Sequence, residues 1–221
     1  MLHPDTYLAA LTTLLRSAYR DRLCYVGLQG SYLRGEATEG SDIDVMVVIR
    51  NMTAADLDAY RKAIEALPDA DKSCGFICGL EELHHWNPLE ICQLLHTTRD
   101  HLGTLANLVP RYTDADVRAY VQLILGNLYH ELCHRYVHAP TEQNISALPL
   151  TCKAVFFILQ NLHYLRSRRF IGTKKELLPA LTGRDRQVLE LSLALGRGGA
   201  FDFGAAFSLL LDWCRETLID L

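Results

Sequence analysis

The spacing of apolar positions changes character near the middle of the chain. Up to about residue 110, helical and extended patterns alternate; from Asp114 onward the pattern is helical throughout. In "PDTYLAALTTLLRSAYR" the apolar residues recur on one face, which predicts an amphipathic helix over about 5–20. "LCYVGLQ" and "DIDVMVVI" read as strands. Thr53, with Asp56 three residues on, caps a predicted helix that runs to about Leu67. "SCGFICG" is β-like, "EELHHW" is a short helix or turn, and "LEICQLL" reads as a further strand. In the second half, Val117, Tyr120, Val121, Ile124, Leu128 and Leu132 keep a helical period. Pro140 and Pro149 bracket a predicted loop, and a helix follows over about 150–168. Thr173 and Glu176 form a capping-box pattern that starts a short helix, and two more helices cover about 184–196 and 204–219. The expected fold class is α+β: a mixed sheet with helices in an N-terminal domain, residues 1–110, then an all-α helical-bundle C-terminal domain, residues 111–221.

Composition narrows the function classes. The chain has 221 residues, 49% of them hydrophobic and 22% charged, which is ordinary for a globular protein. Its net charge of -4 gives no global attraction to nucleic acid or an anionic membrane, so neither is an expected partner. No apolar run approaches the roughly 20 residues of a membrane span. The start carries an early Asp5 and lacks a basic leader, so a signal peptide is not expected. Seven scattered cysteines, an odd number, fit reduced thiols and a cytoplasmic location better than a disulfide framework. Cys74 and Cys78, with His84 and His85 after them, match no usual zinc spacing and read as small apolar residues. Charge is uneven: residues 153–186 hold eight basic side chains against Glu176 and Asp185. That run is either a solvated helical surface or a face turned to something anionic.

The candidate chemistry lies in residues 30–49, "GSYLRGEATEGSDIDVMVVI". Asp42 and Asp44 stand at the mouth of an apolar strand. Two residues apart, they point to one face and repel each other unless something positive lies between them. Gly30 and Ser31 form a turn after the preceding strand, and such turns bind phosphate through backbone N–H groups. The ten residues between Ser31 and Asp42 let the chain return to the same end of the sheet. A divalent cation would relieve the carboxylate repulsion and bridge to phosphates at the turn.

The turn, the ten-residue gap and the "DID" strand together resemble the signature of the DNA-polymerase-β-like nucleotidyltransferase superfamily. The fuller string is similar to the bacterial branch of antibiotic nucleotidyltransferases and minimal nucleotidyltransferases. The resemblance implies a polymerase-β-like N-terminal domain that uses Mg2+ and a nucleoside triphosphate, ATP. It implies that Asp42 and Asp44 ligate metal, that Gly30 and Ser31 hold phosphate, and that Arg34 and Ser41 lie near the triphosphate. A third carboxylate is expected on a neighbouring strand. "PLEICQLL" resembles the "PLE" strand of streptomycin/spectinomycin adenylyltransferases and makes Glu90 that metal ligand, with Glu81 in reserve. Those enzymes have a "GEWL" segment with a proposed catalytic Glu; here "GTL" puts Thr104 in its place. "IGTKKELL" resembles a segment of the same enzymes whose Lys meets the triphosphate, which points to Lys174.

One motif competes. "HELCH", residues 130–134, has the H-E-x-x-H pattern of zinc hydrolases, but no third ligand follows at usable spacing. Alternatively Glu131 is a general base for an acceptor hydroxyl. The expected function is therefore transfer of a nucleoside monophosphate, AMP from ATP, to a hydroxyl of a small-molecule acceptor, with release of pyrophosphate. The alternatives are a nucleotide-binding or antitoxin-like module of the same fold that has lost turnover, and a zinc hydrolase.

Overall fold

The computed structural model describes residues 2–221, which divide into two compact units with the border between Tyr112 and Thr113. The first unit begins with helix α1, Pro4–Tyr19, whose Pro4 sits at the first helical position where a missing N–H costs nothing. Strand β1 covers Leu23–Leu28 and the one-and-a-half-turn helix α2 covers Gly30–Arg34. Strand β2 is Ile43–Ile49 and helix α3 is Ala54–Glu65. Two short strands follow, β3 at Ser73–Cys74 and β4 at Ile77–Gly79. Helix α4, Leu80–His84, helix α5, Pro88–His96, and strand β5, Arg99–Leu102, complete the unit.

The sheet is mixed, as expected, with order β3-β2-β1-β5 and with β4 also paired to β2. β1 pairs antiparallel with β2 and β5, while β3 and β4 run parallel to β2. Both faces of β2 are covered, which is why "VMVVI" reads as a continuous apolar run rather than an alternation. Val45, Val47 and Ile49 pack with Leu8, Leu11 and Leu15 of α1. Met46 and Val48 pack on the other face with Tyr25, Leu80, Leu83 and Leu105. Asp44 belongs to this second face by alternation, one step beyond Met46, where the apolar layer ends.

"LEICQLL" is helical, not extended. Asn87 accepts the Leu89 N–H as an N-cap and Pro88 occupies the first helical position, a start signal that outweighs the apolar run. Ile91 and Cys92 are its fully buried residues, on one side of the helix. The strand in this region is β5, "RDHL", a polar edge strand without apolar alternation.

In the second unit, helix α6 spans Asp114–His138, α7 Thr141–Thr151 and α8 Lys153–Ser167. Helices α9, Lys174–Ala180, α10, Gly183–Gly196, and α11, Phe203–Asp220, follow. Leu125 and Leu128 of α6, Phe156 and Leu159 of α8, Val188 of α10 and Trp213 of α11 share one core. The stretch between Pro140 and Pro149 is helix α7 rather than a loop. Pro140 serves as its N-cap residue, and Pro149 lies near its end, just before a bend of 41° into α8. The lost hydrogen bond is thus confined to the last turn before the bend. No single helix among the described residues is long and apolar enough to cross a membrane. The basic run is largely matched locally: Arg166 pairs with Asp185, Arg168 with Asp114, Arg184 with Glu216 and Arg186 with Glu190.

One polar knot ties the first unit together. Asp56, buried, accepts both guanidinium nitrogens of Arg22 at 2.6 and 3.1 Å and the Thr53 N–H at 2.8 Å. The Arg22 bond, then the Thr53 bonds, hold its carboxyl far below the usual range. Thr53→Ala is expected to cost about 1 kcal/mol through the lost cap. Because the folded pKa of Asp56 is depressed, its contribution is present above the unfolded value of 3.8 and is lost as pH falls through the folded value. Urea unfolding of wild type and Asp56→Asn should therefore show a stability gap at pH 7 that narrows progressively below about pH 4.

Candidate functional site

Because β1 and β2 run antiparallel, the turn after β1 and the start of β2 meet at one end of the sheet. Leu28 is paired with Val45 there. The Gln29 N–H donates to the Asp44 carbonyl at 2.8 Å and fastens the turn to the acidic strand. Gln29 also donates through Nε2 to Thr98 Oγ1 at 2.8 Å, which ties in the segment just before β5. Gly30 follows with φ +69°, a left-handed backbone that favours glycine. A Cβ at Gly30 would lie 1.8 Å from Asp44 Oδ2, so any side chain there would push that carboxylate out of its place. The sequence pattern thus brings Gly30, Ser31, Asp42 and Asp44 to one sheet end.

The two acids differ in setting. Asp42 is exposed and Asp44 is half-buried. Desolvation raises the Asp44 pKa above the ordinary carboxylate value, a bond to Cys74 opposes this, the Asp42 charge raises it further, and Arg34 lowers it. Arg34 is close enough to act on Asp44, yet its Nε is paired with Glu36 at 3.0 Å. Ser41 closes the preceding loop instead: its Oγ accepts the Thr38 N–H at 2.9 Å. A desolvated carboxylate with a second one beside it is a donor set that a divalent cation would fit, since the cation relieves both the burial and the repulsion. Among the described residues no three His, Cys, Asp or Glu side chains are gathered into a ready-made metal cage. Oxygens of a bound triphosphate or of water would have to complete the coordination.

The sheet does not support Glu90 as the third ligand. Its place on a flanking strand was the ground for choosing it, and it lies instead on α5, exposed, with Oε2 accepting from Trp86 Nε1 at 2.5 Å. Glu81 fails as the reserve because it accepts the Asn51 N–H at 3.0 Å, beyond the far end of β2. Six residues, most of them in β2, lie between Asp44 and Asn51, roughly 20 Å of chain. The residue opposite Asp44 on the flanking strand is Cys74, whose thiol bonds the Asp44 carboxylate. Sequence reading passed over it as one of several apolar thiols; its place on the β-like "SCGFICG" was the available signal. Asp100, on β5 opposite Gly27, was also missed, but its Oδ1 is engaged by Tyr25 Oη at 2.6 Å and by the Leu105 N–H.

Two expected residues belong to the helical unit. Glu131 Oε1 accepts from Thr151 Oγ1 at 2.9 Å and lies 3.8 Å from Arg135, so it ties α6 to α7. His130 and His134 are exposed, with ring centroids 5.8 Å apart. Lys174 opens α9, with its ammonium 5.5 Å from the Phe156 ring centroid. Thr173 caps that helix by accepting the Glu176 N–H at 3.2 Å.

The fit of Gly30 against Asp44 yields a sharp expectation. Gly30→Ala should cost about 1–2 kcal/mol for the left-handed backbone alone, plus the overlap with Asp44. In an Asp44→Ala background the overlap with the carboxyl group disappears, leaving the backbone cost and a tight 3.0 Å approach to the Cβ of residue 44. A double-mutant cycle by urea unfolding measures the difference; strictly additive costs would mean that the two residues are not in contact.

Comparison with known proteins agrees with this geometry. Residues 20–74, from the end of α1 to Cys74, match the model of the nucleotidyltransferase domain. No curated protein matches the chain by sequence. Among solved structures, spectinomycin adenyltransferase AAD(9) from Enterococcus faecialis, determined with ATP and spectinomycin, is similar in fold. The likeness has a TM-score of 0.59 at 13% identity and covers 97% of this chain and 98% of that one. Residues 20–74 thus carry the match to a nucleotidyltransferase domain, and the chain shares its fold with that adenyltransferase.

Proposed function

We propose that the chain transfers AMP from ATP to a hydroxyl of a small-molecule acceptor and releases pyrophosphate. The observation that carries this reading is the glycine backbone laid against Asp44 at the sheet end that also holds Asp42. An anion at the Gly30-Ser31 turn and a cation at the two acids would occupy adjacent positions. In the reaction, the acceptor oxygen bonds to the α-phosphorus of ATP, the bond to pyrophosphate breaks, and the hydroxyl proton is released. When bound, Mg2+ would neutralise charge on the phosphates and on the two acids. Asp44, half-buried and fastened through its backbone to Gln29, would hold the cation, and exposed Asp42 would supply the second carboxylate from the solvent side. Arg34 adds positive charge at the turn, with Glu36 holding its side chain in place. The neighbour solved with ATP and an antibiotic supports a nucleotide and a small polar acceptor as the two substrates.

A second reading has one observation in its favour. Neither Cys74 nor Thr104 is a carboxylate, so a nucleotide-binding module without turnover would also account for an intact turn and acid pair. Transfer from α-labelled ATP across a panel of hydroxylated acceptors, with pyrophosphate release followed in parallel, separates the two. Turnover is expected, and Asp42→Asn and Asp44→Asn should each lower it by about a hundredfold or more, as loss of a transition-state charge stabiliser does. Nucleotide binding without label transfer or pyrophosphate from any acceptor would favour the module.

A further inference from the structure

The flanking strand that should carry a third carboxylate carries a thiol. In the parallel ladder between β2 and β3, Ile43 is opposite Ser73 and Asp44 is opposite Cys74. Paired residues in a sheet present their side chains to the same face, so the Cys74 sulfur shares a face with Asp44, with Asp42 just before the strand. Cys74 is exposed and stands directly opposite Asp44 in the ladder, so a cation at that carboxylate has the sulfur beside it.

Its position is built into the backbone. Gly75 follows at φ +138°, and a Cβ there would lie 2.1 Å from the Val45 carbonyl oxygen. The Phe76 N–H donates to that carbonyl at 3.2 Å, and the Val47 N–H donates to the Phe76 carbonyl at 2.8 Å. The chain on the C-terminal side of Cys74 is therefore pressed onto β2, in a form that only glycine allows. These contacts hold the chain after Cys74 in register with β2 and so set Cys74 opposite Asp44.

We propose that Cys74 is a metal-selecting residue: it turns an all-oxygen cation site into a mixed oxygen–sulfur one, suited to a thiophilic divalent transition metal rather than to Mg2+ alone. Carboxylates and water suit Mg2+, whereas a thiolate favours softer ions such as Co2+ and Zn2+. Coordination through sulfur releases the thiol proton to solvent, and no oxidation is involved. The inference rests on the nucleotidyltransferase reading for the presence of a cation at Asp44, but its test does not depend on turnover.

Co2+ is the probe, because a thiolate bound to it produces a charge-transfer absorption that oxygen ligands do not. Wild-type protein titrated with Co2+, with and without ATP, should develop that band. Cys74→Ser and Asp44→Asn should each abolish it, whereas Cys133→Ser, a half-exposed thiol of the helical unit, should leave it intact. Cys74→Asp should lose the band and change the ratio of Mg2+ to Co2+ affinity in favour of Mg2+ by about tenfold, the lower end of what altering a metal site's supporting groups costs. Absence of the band in wild type, or its persistence in Cys74→Ser, would overturn the proposal. If the band is absent while Mg2+ supports pyrophosphate release equally in wild type and Cys74→Ser, the selection proposal falls and the nucleotidyltransferase reading stands. If the band depends on Cys74 and no acceptor yields pyrophosphate, the metal assignment stands and the transfer reading falls.

Discussion

A glycine without a side chain, pressed against a carboxylate, is the constraint from which the site follows. Two features favour glycine at position 30: its left-handed backbone, and the 1.8 Å that would separate a Cβ from Asp44 Oδ2 as the carboxylate now stands. The Gln29 N–H bond to the Asp44 carbonyl holds that contact in register. Everything else in the first unit keeps those two short segments together. The β1–β2 pairing brings their ends level, the apolar layers on either side of β2 fix the strand, and the Arg22–Asp56 knot secures α3 to the segment between α1 and β1.

The position of Asp44 has an energetic consequence. It stands where the apolar layer of Met46 and Val48 ends, so it is partly desolvated and sits beside another acid. Both effects disfavour its ionised form in the absence of a cation. The backbone beside it is nevertheless fastened by the Gln29 N–H bond to the Asp44 carbonyl. That is the arrangement expected of a residue placed for a ligand, where local cost is accepted in exchange for a formed site.

Much of this was legible in residues 30–49. The gap between "GS" and "DID" is long enough to bring the chain back, and alternation on a strand places Asp42 and Asp44 on one face. The parts that were not legible have physical reasons. "LEICQLL" is apolar enough for a strand, but the Asn87-Pro88 pair starts a helix, and Glu90 went with it. The real strand in that region, "RDHL", is a polar edge with no apolar period to reveal it. Pro149 looked like a helix breaker and lies instead at a bend where its missing N–H costs little. The β-like "SCGFICG" placed Cys74 on a strand, but its position opposite Asp44 comes from the register of two strands about thirty residues apart in sequence.

The central claim is that Asp44 is held at a cost that bound cation and nucleotide reverse. Thermal melting of wild type and Asp44→Asn, each alone and with Mg-ATP, tests it most directly. Because the folded pKa of Asp44 is raised, its stabilising balance is lost as pH rises through that value; at pH 7 the unliganded Asp44→Asn protein should melt at the same temperature as wild type or higher. Mg-ATP should raise the wild-type melting temperature by linkage and raise that of Asp44→Asn much less. A wild type that does not respond to Mg-ATP, together with an unliganded Asp44→Asn protein that melts lower, would show that the carboxylate is there for the fold and contradict the account.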